Sequence, residues 1–86
     1  MIEPSEILRF LREELLDEPD ADLSADTSLF RSQRLDSMTL TALVAFLEDR
    51  YGIKIRPLDI VYDNLDTVNL IASFVERKQA DGESRG

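Results

Sequence analysis

Ser37 is the residue whose type and position first suggest chemistry. It lies in Leu35-Asp36-Ser37-Met38, directly before a segment whose apolar residues recur at helical spacing up to Gly52. One interpretation is helix capping, in which Asp36 or Ser37 accepts a first-turn N–H for about 0.5–2 kcal/mol. The other is a nucleophile, but a serine hydroxyl needs a general base to activate it. The chain has no His and no Cys, so a separate enzyme would have to supply the activation.

The composition narrows the function classes. The chain has 86 residues, the size of one small domain, and it lacks the thiols and imidazoles of disulfides and of the usual zinc sites. No metal site is expected. An enzyme is a poor interpretation because the acid–base groups reduce to carboxylates, lysines and tyrosines, and a domain of this size has little room for a substrate cleft.

The net charge is −8, which disfavours nucleic acid and anionic membranes as partners and favours proteins with basic patches. No secretory signal precedes the first charged helix, and no apolar run approaches the roughly 18 residues that a membrane span needs. The sequence therefore predicts a cytoplasmic protein without membrane contact, and nothing in it indicates more than a monomer.

Apolar periodicity predicts three longer helices and one short one. The first covers roughly residues 4–17, and the second runs from Ser37 to Tyr51 with Gly52 beyond its end. A short helix follows Pro57, and Asp66 or Thr67 caps the last helix. The inward-facing residues of the first and last helices are predicted to be Ile7, Leu8, Leu11, Leu15, Val68, Ile71, Phe74 and Val75.

The segments between the helices complete the predicted fold, an all-α four-helix bundle over residues 1–78. A long polar loop, containing Pro19, Asp20 and Asp22, joins the first two helices and is expected to be pinned by Leu23, Leu29 and Phe30. The stretch "IKIRP" is predicted to be an extended connector because it is short and has no second strand to pair with. Residues 79–86 are predicted to be a disordered tail.

The chain resembles the acyl carrier proteins, the phosphopantetheine-attachment family, over roughly residues 4–78. The resemblance is carried by "LDSM", by "DTSLF" upstream of it, by the continuation "LVAFLEDRYGIKI" and by the close "YDNLDTVNLIASFV". It implies that Ser37 receives 4′-phosphopantetheine from coenzyme A through a phosphopantetheinyl transferase. Asp36 and Met38 would be flanking recognition residues, and the thiol of the attached arm would replace the missing cysteine.

The same resemblance implies a non-catalytic function. The protein would carry an acyl or aminoacyl thioester from a loading enzyme to a downstream synthase or transferase. Many fatty-acid carriers have acids two and five residues after the serine, where this chain has Thr39 and Ala42. The second helix is therefore expected to meet its partners through apolar contacts. The chain is more similar to stand-alone carriers of polyketide, nonribosomal-peptide or related aminoacyl-transfer pathways. The partner-binding residues are predicted to be Met38, Thr41, Ala45 and Tyr62.

Two alternatives stay open at this stage. Phe46 fits either the ordinary core or the lining of an interior that sequesters the carried chain, with the core favoured, and Val61, Tyr62 and Leu65 are candidates to close such an interior. A small acidic helical domain that only binds partner proteins would use the same apolar helices, and Ser37 would then be no more than a cap.

Overall fold

The computed structural model describes residues 2–16 and 23–85, with side chains up to residue 80. Four α-helices form this part of the chain, α1 (Pro4–Phe10), α2 (Ser37–Tyr51), α3 (Tyr62–Leu65) and α4 (Val68–Arg85). A 3-10 turn over Pro57–Asp59 precedes α3. Within the described ranges no residue is in a strand, and residues 52–56, which include most of "IKIRP", form an irregular connector. The predicted all-α bundle is confirmed.

The first helix differs from the prediction in its second half. Pro4 opens α1 at a position where its missing N–H is harmless, but Leu11–Leu15 forms a π-helical turn in which the Leu16 N–H donates to the Leu11 carbonyl at 2.8 Å. In the wider turn Leu11 is fully buried, while Leu15 and Leu16 both pack against the core. Residue 17 and the loop residues Pro19, Asp20 and Asp22 lie outside the described residues.

The helix α2 has the predicted bounds. It ends because Gly52 adopts the left-handed conformation, φ +66°, while its N–H still bonds the Glu48 carbonyl at 3.0 Å. Leu43 and Leu47, one turn apart, are fully buried and fix the rotation of the helix about its axis. That rotation decides which residues of α2 are presented to solvent.

We expect Gly52→Ala to destabilise the protein by about 1 kcal/mol, because an L-residue is strained in the left-handed region. Crowding is not the reason, since a Cβ at this position meets no heavy atom within 4 Å. Urea unfolding would measure the loss, and Gly52→Asn should lose less because asparagine tolerates this conformation. Equal stability of the alanine variant and the wild type would contradict the assignment of Gly52 as the cap.

The helix α4 forms the centre of the core. Its predicted inward residues are all buried, and the Thr67 hydroxyl accepts the Leu70 N–H at 3.1 Å, so Thr67 rather than Asp66 caps the helix. The core as a whole comprises Ile2, Ile7, Leu11, Leu23, Leu29, Leu35, Leu43, Leu47, Ile55, Leu65, Val68, Ile71, Ala72, Phe74 and Val75.

The last helix is longer than predicted. The structure continues α4 to Arg85, so residues 79–85 are helical where the sequence predicted a disordered tail. Extending an existing helix costs little free energy when most of the added residues have good helix propensity. The polar composition of this stretch did not reveal that it continues the preceding helix. The division of the chain at residue 78 into domain and tail stays a prediction.

Polar and aromatic contacts join α1 to α2. The Glu6 carboxylate accepts hydrogen bonds from the Arg50 guanidinium, through Nε at 3.0 Å and through a second nitrogen, and from the Tyr51 hydroxyl at 2.8 Å. The bond from Arg50, followed by that from Tyr51, holds the pKa of Glu6 below its usual range. Burial, together with the bond to Glu6, raises the pKa of Tyr51 to about 12. Next to this cluster the rings of Phe10 and Phe46 stack at 3.7 Å.

No helix within the described parts of the chain combines the length and apolar character that crossing a bilayer requires. The residues described there also contain no group of three or more His, Cys, Asp or Glu side chains placed to hold a metal ion.

Candidate functional site: Ser37 at the start of α2

Ser37 is the first residue of α2, and its side chain is exposed. Its carbonyl accepts a bond from the Thr41 hydroxyl at 2.8 Å. The Ser37 hydroxyl bonds no group in the described part of the chain. Two serines of the preceding loop differ in this respect, because Ser28 donates to the Asp66 carboxylate at 2.7 Å and Ser32 donates to the Leu29 carbonyl at 3.3 Å. Ser37 therefore presents an unbonded hydroxyl at the start of α2.

Asp36, and not Ser37, caps the helix. The Asp36 carboxylate accepts the Thr39 N–H at 2.9 Å, and the Thr39 hydroxyl accepts the Asp36 N–H at 2.7 Å. This reciprocal pair is a capping box with threonine at the third helical position. The sequence had left the cap open between Asp36 and Ser37, and the structure assigns it to Asp36, which leaves Ser37 with no capping role.

The capping role of Thr39 is a feature that the sequence interpretation missed. From the sequence, Thr39 stands out only as a position where many fatty-acid carriers have an acid. The spacing Asp36-x-x-Thr39 is the signal that could have revealed the box, because it matches the pattern of a cap residue and its third-position partner. Thr39 takes the third helical position, where Glu or Gln stands in the common capping box, so it supports the cap without adding charge to α2.

The cap gives the start of α2 a pH dependence. Bonds from the Thr39 N–H and hydroxyl hold the pKa of Asp36 below its ordinary value. Because the pKa is lower in the folded protein, this stabilisation is present above the ordinary value and is lost as pH falls through the lowered one. We expect the stability difference between wild type and Asp36→Asn to be larger near neutral pH than at about pH 2.

Urea unfolding at several pH values would measure that difference. Ser37→Ala serves as the control, because it removes no titrating group and should follow the wild-type pH profile. A difference between wild type and Asp36→Asn that does not change with pH would contradict the role of the ionised carboxylate.

The loop that leads to Ser37 is fastened to the junction of α3 and α4. The Asp66 carboxylate accepts the Ser28 hydroxyl at 2.7 Å and the Phe30 N–H at 3.2 Å, and the Asp66 carbonyl accepts the Leu29 N–H at 2.6 Å. The Leu29 carbonyl in turn accepts the Arg34 N–H at 2.9 Å. Leu23 and Leu29 are buried and Phe30 is partly buried, as predicted, so the loop is positioned by both apolar and polar contacts.

The predicted partner-binding residues are all exposed. Met38, Thr41 and Ala45 follow each other at helical spacing along one side of α2, and 82% of the Met38 surface is accessible. Tyr62 lies on a different element, α3, with 67% of its surface accessible and its ring edge against Phe30 at 4.7 Å. The four residues therefore belong to two elements, α2 and α3, whose exposed faces are available to a partner.

Phe46 takes part in ordinary packing. It is partly buried, stacked on Phe10, and approached by the Tyr51 ring edge at 6.2 Å. These contacts favour the core interpretation over a lining residue of an open interior. Leu65 is also fully buried, whereas Val61 and Tyr62, its fellow candidates to close such an interior, are exposed.

A second feature escaped the sequence interpretation. Leu58, in the 3-10 turn before α3, is the most exposed of the large apolar residues in the described part of the chain, with 83% of its surface accessible. No sequence signal separates it from the buried leucines, because its exposure depends on which way the turn faces.

A small all-α bundle of this kind has the fold of a carrier domain. The family model described as phosphopantetheine attachment site matches residues 6–75. The chain belongs to this family, whose covalent cofactor is 4′-phosphopantetheine.

The proteins that are similar to the chain include one biosynthesis protein and one solved structure. Lincomycin biosynthesis protein LmbN of Streptomyces lincolnensis is 38% identical over 72 residues, which are 84% of this chain and 26% of LmbN. The chain thus spans about a quarter of the length of that relative. A solved structure named "Crystal structure of FAD-dependent dehydrogenase" contains a chain that is 28% identical, with a TM-score of 0.75, covering 80% of this chain and 97% of that one.

Proposed function

We propose that Ser37 carries 4′-phosphopantetheine and that the protein shuttles an acyl or aminoacyl thioester between enzymes of a biosynthetic pathway. The observation that supports this best is the division of roles at the start of α2, where Asp36 caps the helix and the Ser37 hydroxyl stays exposed and unbonded. A residue needed only for capping would have its side chain engaged there.

The residues at this point fit the group. A phosphodiester on Ser37 would lie at the N-terminus of a 15-residue helix, whose free N–H groups and dipole favour negative charge. The exposed side chain leaves room for a long arm. When bound, the arm supplies the thiol that forms the thioester, which a chain without cysteine cannot supply itself.

Attachment needs a partner enzyme, a phosphopantetheinyl transferase. In the proposed step the Ser37 oxygen attacks the phosphorus that bears the pantetheine arm in coenzyme A, and a new oxygen–phosphorus bond forms. The pyrophosphate bond breaks, adenosine 3′,5′-bisphosphate leaves, and the hydroxyl proton passes to a base of the transferase. This chain contributes the position of the hydroxyl, and Asp36 and Met38 beside it would be recognised by the transferase.

The proposed pathway is one of secondary metabolism, of the polyketide or nonribosomal-peptide kind. The likeness to a protein named for lincomycin biosynthesis supports this. The uncharged exposed side of α2 supports it too, since Met38, Thr41 and Ala45 offer apolar contacts to the loading and downstream enzymes. The solved structure named for an FAD-dependent dehydrogenase adds flavin-dependent oxidation of the carried group as one downstream step to test. We propose a cytoplasmic monomer.

The test is the intact mass of the protein after incubation with coenzyme A, magnesium and a broad-specificity phosphopantetheinyl transferase. We expect a gain of one phosphopantetheinyl group on Ser37, located by peptide mass spectrometry. No gain with several transferases would make the carrier function untenable and would favour a domain that only binds partner proteins. Modification of Ser28 or Ser32 instead would refute the proposed site.

The cargo is accessible by a second measurement. Protein purified from its native host would be fragmented in the mass spectrometer so that the arm is ejected with the group that it carries. An acyl or aminoacyl group on the ejected arm is the expected result, and its mass would identify the cargo class. An arm that is always recovered as the free thiol, even with the thioester protected from hydrolysis, would contradict the shuttle.

A further inference from the structure

The turn before α3 has an inverted arrangement of apolar and charged side chains. Within this inverted turn, residues 57–60, Leu58 has 83% of its surface exposed, whereas only 17% of the Asp59 side chain is exposed. Folding alone favours the opposite, because apolar surface gains from burial and a carboxylate loses solvation. An exposed leucine held in this way calls for an explanation outside the stability of the isolated domain.

Side-chain and backbone contacts hold the inverted turn in place. The Asp59 carboxylate accepts the Arg56 N–H at 2.9 Å and pairs with Lys78 Nζ of α4 at 2.9 Å. The Asp59 carbonyl accepts the Asn64 side-chain amide at 2.8 Å, and the Ile60 N–H bonds the Pro57 carbonyl at 3.1 Å. The bond to Lys78 is the main reason why the pKa of Asp59 lies below its usual range. With these contacts in place, Leu58 is directed outward in the protein without a partner.

The surroundings of Leu58 are apolar on one side and basic on the other. The chain continues with Ile60, Val61 and Tyr62, which are 36%, 46% and 67% exposed. On the other side the turn borders a cleft of about 360 Å³ whose charged lining residues are Arg56, Asp59, Arg77 and Lys78. Both Lys78 and Arg56 pair with the Asp59 carboxylate, at 2.9 and 3.9 Å, and Arg77 donates to the Asn64 side chain at 3.0 Å. One carboxylate against these three cations leaves a local excess of positive charge, and the Arg56 and Arg77 side chains are exposed to a partner. In a chain of net charge −8, this is a locally positive rim.

We propose that the inverted turn is a docking surface for a partner enzyme that receives Leu58 in an apolar pocket and faces Arg56 and Arg77 with carboxylates. An apolar anchor inside a charged rim is the usual arrangement of protein interfaces, in which the rim sets orientation and association rate. Nucleic acid and anionic membranes do not fit, because the net negative charge of the whole chain repels extended polyanions. The inference rests on the proposed function, since the partner is taken to be an enzyme that acts on the arm.

The test places a photo-crosslinker at the anchor. The full chain with Leu58 replaced by p-benzoylphenylalanine would be produced in its native host, irradiated, and the crosslinked peptide identified by mass spectrometry. We expect a peptide with Asp or Glu beside apolar residues, from an enzyme that loads or consumes the thioester. Arg56→Glu combined with Arg77→Glu should lower the yield about fivefold. Arg9→Glu, which changes an exposed arginine on α1, should leave it unchanged.

Several results would overturn the proposal. These are the absence of a crosslink, a crosslink to a second copy of this chain, a crosslinked peptide without carboxylates, or a yield that charge reversal leaves unchanged. Circular dichroism of each variant would verify that it is folded. In a second experiment the crosslinker is placed at Tyr62. There Leu58→Asn, which keeps the turn but removes the apolar anchor, should lower the yield of crosslinks to the same enzyme. The intact mass of the same sample shows whether Ser37 carries the arm. A missing crosslink on a protein that carries the arm would therefore refute only the docking surface, and a missing arm would refute the proposed attachment site.

Discussion

Ser37→Ala is expected to abolish phosphopantetheine attachment completely while leaving the stability of the protein within about 0.5 kcal/mol of wild type. The loss is complete because the hydroxyl oxygen forms the bond to phosphorus, and a methyl group cannot. Stability is retained because the capping bonds run between Asp36 and Thr39 and do not involve the Ser37 side chain. Intact mass and urea unfolding of one preparation measure both effects.

Asp36→Ala separates the cap from the attachment site. It should lose about 0.5–2 kcal/mol of stability, the value of a helix cap, while the hydroxyl stays in place. Ser32→Ala, in the loop, should gain the arm like wild type. If Ser37→Ala also lost the stability of a cap, or if it still gained the phosphopantetheinyl mass, the separation of roles between Asp36 and Ser37 would be wrong.

Asp66→Ala is expected to destabilise the protein by about 1–3 kcal/mol, the range for partly buried groups that lose their partner. The substitution removes the acceptor of the Ser28 hydroxyl and of the Phe30 N–H, both at partly buried positions. The backbone bond from Leu29 to the Asp66 carbonyl is kept, so the loop is expected to loosen rather than detach. Urea unfolding measures the loss, and amide exchange at Phe30 should be faster in the variant.

The matched control is Asp63→Ala, three residues earlier on α3, where the aspartate is exposed. This variant should stay within about 0.5 kcal/mol of wild type. If the two aspartates proved equivalent, the anchoring of the loop by Asp66 would be refuted. Ser28→Ala provides a further check, since it removes one of the two bonds to the Asp66 carboxylate, together with the bond from the Arg31 N–H to the Ser28 hydroxyl, and it should also destabilise the protein.

The parts of the fold that the sequence predicts well are those decided by local chemistry. The bounds of α2 follow from the polar residues before Ser37, the apolar spacing after it and the left-handed Gly52, all within one short segment. The buried face of α4 follows from periodicity in the same way. The candidate site can be predicted for the same reason, because Ser37 and the capping residue Asp36 are neighbours in the sequence at the start of one helix.

The features that the sequence did not reveal depend on contacts between distant residues. The inward turn of Asp59 requires Lys78 from α4, and the outward position of Leu58 follows from it. The sequence offers Asp66 as one of two possible caps of α4. In the structure its carboxylate instead accepts the Ser28 hydroxyl and fastens the loop, a contact that involves residues far apart in the chain. The π-helical turn at Leu11 likewise has no local signature in its residue types. Such tertiary choices override local propensity and cannot be read from one segment.

The contacts of α4 have a consequence for the order of events during protein synthesis. Asn69 bonds the loop through Ala25 and Asp26, Glu76 accepts the Ile2 N–H, and Gln79 bonds the Tyr51 carbonyl. The ribosome makes α4 after all of these partners, so the earlier segments cannot close around a core until α4 has emerged. In a nascent chain that ends after α2, we expect Ser37 to be exposed while the helical bundle around it is still unfolded. Attachment of the arm is therefore expected only after α4 has been synthesised.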